Sequence, residues 1–119
     1  MNKKIKKGDN FLKLIPKKNL KYQWIEKEDG RIQIIIPRDK ILDKIVRKIF
    51  KTPESFKIDL DKIGSFIFKN IDGKNNIEKI AELLKKQFGQ EVEPLYKRLI
   101  TYINILRNNK FITLERREK

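Results

Sequence analysis

Residues 60–74 contain the clearest structural signal in the chain, and their sequence is LDKIGSFIFKNIDGK. Their apolar residues follow the i, i+3, i+4, i+8 spacing of one helix face: Ile63, Phe66, Ile67 and Ile71. Asp61 has a side chain that commonly caps a helix N-terminus, and Gly73 suits the position just past a helix end. The stretch therefore predicts a helix that begins after Asp61 and stops before Gly73.

The sequence before this helix predicts strands. Residues 56–60, FKIDL, alternate strictly between apolar and polar, which is typical of a strand. Further upstream, 22–26 and 31–36 are rich in β-forming residues, and Glu28-Asp29-Gly30 joins them. Asp-Gly between two such runs indicates a hairpin, because Gly tolerates the positive φ that these turns need. Pro37 is expected to end the second strand.

Residues 39–51 change to helical spacing, with basic residues between six apolar ones: Ile41, Leu42, Ile45, Val46, Ile49 and Phe50. A basic amphipathic helix of this kind either lies on an anionic membrane or packs inside a domain. Its length of about three turns and its position between predicted strands favour the packing helix.

Two more helices and a final extended segment are predicted after residue 74. Asn75 and Glu78 have a spacing like that of a capping box, and Gly89 closes the helix that follows. Pro94 suits the first turn of the third helix. The apolar stripe of the second helix is Ile77, Ile80, Ala81, Leu84 and Phe88, and that of the third is Leu95, Leu99, Tyr102, Ile103 and Leu106. Asn108-Asn109 is expected to stop the third helix, before the extended segment at 111–114.

These elements predict an α+β fold, with a small antiparallel β-sheet packed on a three-helix, winged-helix-like unit. At 119 residues one domain is expected, at 11–114, with the extra helix at about 39–51 inside it. A disordered basic arm at 1–10 and a charged tail at 115–119 are expected to flank it. The apolar patch at 11–15 is expected to be a turn of chain that lies on the domain and ends at Pro16.

The composition excludes several classes of chemistry. The chain has no Cys and no His, which excludes disulfides, zinc fingers, thiol nucleophiles and Ser–His–Asp triads. Each of three acidic pairs fits a strand face, a turn or a helix start better than a catalytic site. The pairs are Asp59/Asp61, Glu26/Glu28 and Glu91/Glu93. None of the five glycines forms a phosphate-binding loop. The sequence therefore predicts a protein that is not an enzyme, with no cofactor and no metal site.

The charge is strongly basic. Lys and Arg number 30 against 16 acidic residues, a net charge of +14, and half of the excess lies in residues 1–21. Compositional drift toward AT-rich codons explains such a charge, and so does attraction to a polyanion or an acidic peptide. No secretory signal pattern is recognisable, and no apolar run approaches the ~18 residues of a membrane span. A cytoplasmic protein is expected.

Two binding functions are compatible with these elements. In the first, the third helix binds DNA, with Lys97, Arg98, Arg107 and Lys110 on phosphates, although Thr101 and Asn104 are its few side chains able to read base edges. In the second, residues 56–60 form an edge strand whose unpaired backbone accepts an extended peptide. Ile100 and Ile105 then supply apolar surface beside the peptide. Proline at Ile58 is expected to abolish this strand addition.

The stretch at 60–74 resembles the PqqD family, small proteins related to pyrroloquinoline quinone synthesis protein D and also called RiPP recognition elements. The family pattern leads from a strand into Leu-(Asn/Asp)-x-x-Gly-(Ser/Ala)-aromatic-x-(Trp/aromatic)-x-x-(Ile/Leu)-Asp-Gly, followed by a helix like that at 77–81, then Phe-Gly and a last helix. The resemblance covers about 56–112. Phe68 stands where many members have Trp, and the helix at 39–51 looks like an insertion.

The resemblance implies a noncatalytic peptide-binding adaptor. Such a protein captures the leader segment of a ribosomally made precursor peptide and presents it to a modifying enzyme, often a radical-SAM protein. By position, the leader would add to strand 56–60 and lie beside the helix at 94–108. The implied peptide-binding residues are Phe56, Lys57, Ile58, Asp59, Leu60, Lys97, Arg98, Ile100, Thr101 and Ile105. Such leaders are often acidic, and a basic partner attracts them faster. A winged-helix nucleic-acid-binding protein is the alternative.

Overall fold

The computed structural model describes residues 10–37 and 55–116. The predicted helix at 39–51, the predicted basic arm except Asn10, and the last three residues of the predicted tail lie outside these ranges. The chain divides into two compact units, one of Leu20–Ser65 and one of Met1–Asn19 with Phe66–Lys119. The single domain at 11–114 stays a prediction.

The described residues contain five strands and three α-helices. In chain order they are β1 (Ile15–Lys18), β2 (Gln23–Glu26), β3 (Ile32–Pro37), β4 (Ser55–Asp59), α1 (Lys62–Lys69), α2 (Ile77–Phe88), α3 (Leu95–Asn108) and β5 (Ile112–Glu115). Short 3₁₀ helices lie at Phe11–Lys13 and Gly89–Val92. The predicted α+β class with antiparallel pairing is confirmed, whereas the winged-helix arrangement stays a prediction.

The unit of Leu20–Ser65 contains a three-stranded antiparallel sheet in the order β2-β3-β4. The predicted hairpin is present: the Gly30 N–H donates to the Lys27 carbonyl at 2.9 Å, and Gly30 has φ +86°. The Asp29 carboxylate accepts from the Arg31 N–H at 3.0 Å. The alternating stretch predicted as a strand at 56–60 is β4, shifted by one residue. On the inner face of this sheet, Ile32 and Ile34 are fully buried.

The other unit contains a second sheet, which the sequence does not predict. In it β1 pairs antiparallel with β5, with Pro16 opposite Leu114 and Lys18 opposite Ile112. The expected turn is present as the 3₁₀ helix at Phe11–Lys13, but its predicted extension to Pro16 is wrong, because Pro16 lies inside a strand. Proline fits there because its missing N–H belongs to the side of β1 that faces away from β5. The expectation of one sheet is also wrong.

The first residues of α1 and α2 lie close to their predicted positions. The Asp61 carboxylate caps α1 by accepting from the Gly64 N–H at 2.7 Å. The cap of α2 is Asn76, whose side chain accepts from the Lys79 N–H at 2.7 Å, so the predicted cap at Asn75 is wrong by one residue. Asn75 instead donates its side-chain amide to the Asn70 carbonyl at 3.0 Å.

The core of this second unit is formed by the predicted stripes of the helices. The fully buried side chains of α2 are Ile77, Ile80, Ala81 and Leu84, and those of α3 include Leu99, Ile103 and Leu106. Phe66 and Phe88 meet edge to face, with ring centroids 5.4 Å apart. Burial of this apolar surface stabilises the unit. Among the described helices, none is long and apolar enough to cross a membrane.

Candidate functional site

Among the described strands, β2 and β4 are the two edges of the three-stranded sheet, and we call the outer edge of β4 the open edge. β4 pairs with β3 in the register Ile58 opposite Ile34 and Lys57 opposite Ile35. No other strand pairs with β4 within residues 10–37 and 55–116. Its second edge therefore presents backbone groups that no described strand satisfies.

The register decides which residues of β4 point outward. The Leu60 N–H donates to the Ile32 carbonyl at 2.8 Å, so these two residues form a hydrogen-bonded pair. In an antiparallel ladder such pairs alternate, and residues between them direct their N–H and C=O away from the partner strand. Of the predicted stretch, Phe56, Ile58 and Leu60 thus use their backbone toward β3. Lys57 and Asp59 direct theirs toward the open edge.

The side chains of β4 alternate as the sequence indicates. Ile58 is half-buried beside the core, whereas Lys57 and Asp59 are exposed on the opposite face. The Asp59 carboxylate accepts from the Gln33 amide at 2.9 Å and from the Lys27 ammonium at 3.3 Å. These two hydrogen bonds, the one from Gln33 foremost, lower the pKa of Asp59. On the exposed face of β4, Asp59 is therefore hydrogen-bonded to β3 through Gln33 and to the hairpin through Lys27.

Ser65 closes the end of the β3–β4 ladder. The Ile32 N–H donates to the Ser65 hydroxyl at 2.7 Å, and this hydroxyl donates to the Leu60 carbonyl at 3.3 Å. The serine is 2% exposed, and it inserts where the second hydrogen bond of the Ile32–Leu60 pair would otherwise form. Sequence reasoning misses this structural function of Ser65. No local pattern indicates it.

The α3 residues of the predicted set belong to the other unit. Lys97, Thr101 and Ile105 are exposed, whereas Arg98 and Ile100 are partly buried. The guanidinium of Arg98 donates to the Glu91 carbonyl at 2.9 Å. The predicted residues are therefore gathered in two groups, one on β4 and one on α3. Their joint use as a peptide site stays a prediction.

The start of α3 is fixed by a carboxylate. Glu93 accepts from the Leu95 N–H at 3.1 Å and from the Lys85 ammonium. The hydrogen bond from Lys85, followed by that from Leu95, lowers the pKa of Glu93. Asp61 and Asp59 also bind to neighbouring groups, as described above. These members of the predicted acidic pairs therefore have structural partners, and the described residues contain no cluster that could hold a metal ion.

A cavity of about 240 Å³ lies where β1 approaches the start of α2, and it is lined by Lys13, Ile15, Lys74, Asn75, Asn76 and Lys79. Its polar groups are largely occupied. The Lys13 ammonium binds the Glu78 carboxylate at 2.6 Å, and Asn76 caps α2. This cavity is therefore a weaker candidate site than the open edge of β4.

Comparison with known families matches residues 52–112 to the family described as "Coenzyme PQQ synthesis protein D (PqqD)". The matched region contains β4, all three described helices and the first residue of β5. Comparison with curated proteins and with solved structures found no match. More than half of the chain is covered by the family match, and the predicted resemblance is confirmed. The chain belongs to the PqqD family.

Proposed function

We propose that this protein is a noncatalytic adaptor that captures the leader segment of a ribosomally made precursor peptide by strand addition at β4. It then presents the peptide to a modifying enzyme of the radical-SAM type. PqqD proteins are accessory proteins of PQQ synthesis, which supports the accessory role. Because precursor and enzyme meet where peptides are translated, the adaptor acts in the cytoplasm.

The observation that carries the proposal is the outward backbone of Lys57 and Asp59. Two residues that alternate along an edge strand offer N–H and C=O groups in the spacing that an extended peptide needs. These bonds are made to the peptide backbone, so they tolerate many sequences. An adaptor for a leader segment needs such tolerance, with selectivity added by the flanking side chains.

The register selects the residue to mutate. Ile58 directs its N–H toward β3, so proline there disrupts the sheet itself, and the expected test at Ile58 is unsuited to the question. Lys57 directs its N–H outward, and proline is tolerated at such edge positions. Lys57→Pro therefore removes a donor from the open edge and leaves the β3–β4 ladder intact. Lys57→Ala is the matched control, because it removes the charge and retains the N–H.

The probe is a synthetic leader segment from the short peptide reading frame nearest to the gene, titrated into isotope-labelled protein. We expect amide shifts at Lys57 and Asp59. We expect Lys57→Pro to bind about tenfold more weakly, since one backbone hydrogen bond is lost, and Lys57→Ala to bind within about threefold. Equal affinities of both variants and wild type would refute strand addition at β4. The absence of any such reading frame beside the gene would also count against the adaptor.

A nucleic-acid-binding function is tested in the same experiment. Duplex DNA at the same concentrations is expected to bind weakly and to be released by moderate salt, as for any basic protein. Submicromolar binding of DNA, without shifts along β4 on addition of peptide, would favour a nucleic-acid-binding function and refute the adaptor proposal.

A further inference from the structure

Three of the five large apolar side chains that are exposed in the described residues lie on one short stretch. They are Leu20, Trp24 and Ile25, which are 94%, 39% and 47% exposed. Trp24 and Ile25 belong to β2, and all four residues of this strand are exposed. An exposed edge strand with apolar side chains readily pairs with another strand. The outer edge of β2 is therefore a candidate contact surface, separate from the proposed peptide site at β4.

The register with β3 determines which backbone groups of β2 face this outer edge. The Lys27 N–H donates to the Arg31 carbonyl at 2.8 Å, so these residues form a hydrogen-bonded pair. Because such pairs alternate along the ladder, Ile25 also bonds toward β3, whereas Trp24 and Glu26 direct their N–H and C=O outward. No other described strand pairs with β2. The outer edge thus offers the backbone groups of two residues to an incoming strand.

The side chain of Ile25 lies on the outer face of the sheet, opposite to the face that buries Ile32 and Ile34. Its direct cross-strand neighbour is Gln33, and Ile35 lies diagonally across on the same face. Since Ile25 is 47% exposed, the described residues cover this apolar surface only in part. A second strand that brings an apolar side chain next to Ile25 would remove more of it from water, which is favourable.

We propose that β2 pairs antiparallel with β2 of a second copy of this chain, with the two Ile25 residues directly opposite each other. This register brings outward-facing residues together, because Trp24 of each copy meets Glu26 of the other. Each of these pairs exchanges two backbone hydrogen bonds, and the two isoleucines become neighbours at the centre of the contact. The pairing does not require peptide binding at β4.

The charges near β2 favour this register over its neighbours and favour a second copy as the occupant. An antiparallel pairing that keeps outward residues opposite each other shifts only in steps of two residues. One shift places Glu26 opposite its own copy, and the other places Lys21 opposite Lys27. Like charges directly opposite each other destabilise a sheet. In the proposed register Lys27 meets Gln23, and no like charges are opposite each other within 23–27.

The contact is small, and this sets its expected strength. Two strands of four residues bury less surface than a standard protein interface, so we expect a weak dimer that dissociates on dilution. β2 and β4 are opposite edges of the sheet. The dimer therefore has one continuous sheet, and the open edges of the two β4 strands lie at its two ends.

The experiment measures self-association of the full chain by sedimentation over a series of concentrations. Ile25→Lys and Ile25→Glu each place like charges at the centre of the contact. Ile105→Lys and Ile105→Glu are matched controls at an isoleucine that is 51% exposed on α3. We expect each Ile25 variant to self-associate at least about tenfold more weakly than wild type. The Ile105 variants are expected to stay within about twofold of wild type, because Ile105 has no part in the contact.

An equimolar mixture of the Ile25→Lys and Ile25→Glu proteins tests the register. Opposite charges then face each other, and we expect the mixed dimer to form within about threefold of the wild-type affinity. Mixing the two Ile105 variants is expected to give no gain over either alone. In concentrated wild-type protein, we expect the amide hydrogens of Trp24 and Glu26 to exchange more slowly than in dilute protein.

Several other results would contradict this pairing. Wild-type protein that stays monomeric at every concentration would mean that another part of the chain, or a different protein, covers Ile25. A dimer that the Ile25 variants leave unchanged would lie on another surface. A mixture that does not associate, or amide exchange at Trp24 that is independent of concentration, would refute the register. The exchange measurement uses wild-type protein, so it decides the question even if an Ile25 variant does not fold.

Discussion

The strands β1 and β4 both lie at the edge of a sheet, but they differ in what their outward backbone offers. The Asn19 N–H donates to the Phe111 carbonyl at 2.9 Å, and alternation from this pair makes Pro16 an outward-facing residue of β1. Pro16 has no N–H, so β1 lacks a donor that an added strand needs. In β4 the outward-facing residue Lys57 retains its backbone N–H.

The side chains of β1 are also used within their own unit. The Lys18 ammonium donates to the Ile71 carbonyl at 2.7 Å and lies 5.0 Å from the centre of the Phe68 ring. The Lys17 ammonium pairs with the Glu115 carboxylate at 3.0 Å. Proteins commonly protect edge strands with proline and with charged side chains. Proline removes an outward donor from β1, whereas the outward positions of β4 retain their N–H groups, which the proposed strand addition requires.

The largest expected effect comes from proline on the inward side of β4. Ile58→Pro removes a ladder bond to β3 and leaves the buried Ile34 carbonyl without its donor. We expect the free energy of unfolding to fall by about 2–3 kcal/mol. Lys57→Pro, which gives β4 the same protection that Pro16 gives β1, is expected to lower it by less than about 1 kcal/mol. Urea denaturation of both variants measures the difference. Similar losses would mean that the inward and outward assignment of β4 is wrong.

A smaller effect is expected from the serine that closes the β3–β4 ladder. Ser65→Ala leaves the Ile32 N–H buried without an acceptor, and we expect a loss of about 1–2 kcal/mol in the free energy of unfolding. Thr101→Ala, at an exposed hydroxyl, is the control and is expected to change stability by less than about 0.5 kcal/mol. Urea denaturation again provides the measurement. Equal stability of Ser65→Ala and wild type would show that another group satisfies Ile32.

The smallest effect concerns the exposed face of β4. Hydrogen bonds from Gln33 and then Lys27 lower the pKa of Asp59, so the folded protein binds this proton less readily than the unfolded chain does. The resulting stability is present above the unfolded pKa, near pH 4, and is lost as pH falls through the folded pKa. Gln33→Leu is expected to raise the pKa of Asp59 toward its ordinary value. NMR titration of the carboxylate measures it, and an unchanged pKa would contradict the hydrogen bond from Gln33.

Local patterns in the sequence predict much of the fold. The Asp-Gly turn, the alternation that marks β4 and the apolar stripes of the helices each depend on neighbouring residues. β1 escapes prediction because it has four residues, contains Pro16 and pairs with β5 almost a hundred residues away. The choice between one sheet and two depends on such distant pairing, which no local period encodes.

The sequence predicts the segment that contains the candidate site, but not which of its backbone groups point away from β3. Alternation at 56–60 indicates which side chains share a face, but the division of its backbone into inward and outward groups needs the register with β3. The Leu60–Ile32 hydrogen bond establishes that register, and Ser65 hydrogen-bonds beside it. Neither hydrogen bond has a sequence signature. The charge of α3 is visible in the sequence, whereas the exposure of Ile105 requires coordinates.

The short length of β4 has a kinetic consequence. Its five residues extend over roughly 17 Å, and the outward backbone of Ser55, Lys57 and Asp59 offers six hydrogen bonds at most. At about 1 kcal/mol each, these bonds only approach the entropic penalty of association. A ribbon held by β4 alone would therefore have a brief residence time. Such rapid exchange suits a protein that passes its cargo onward more than one that stores it.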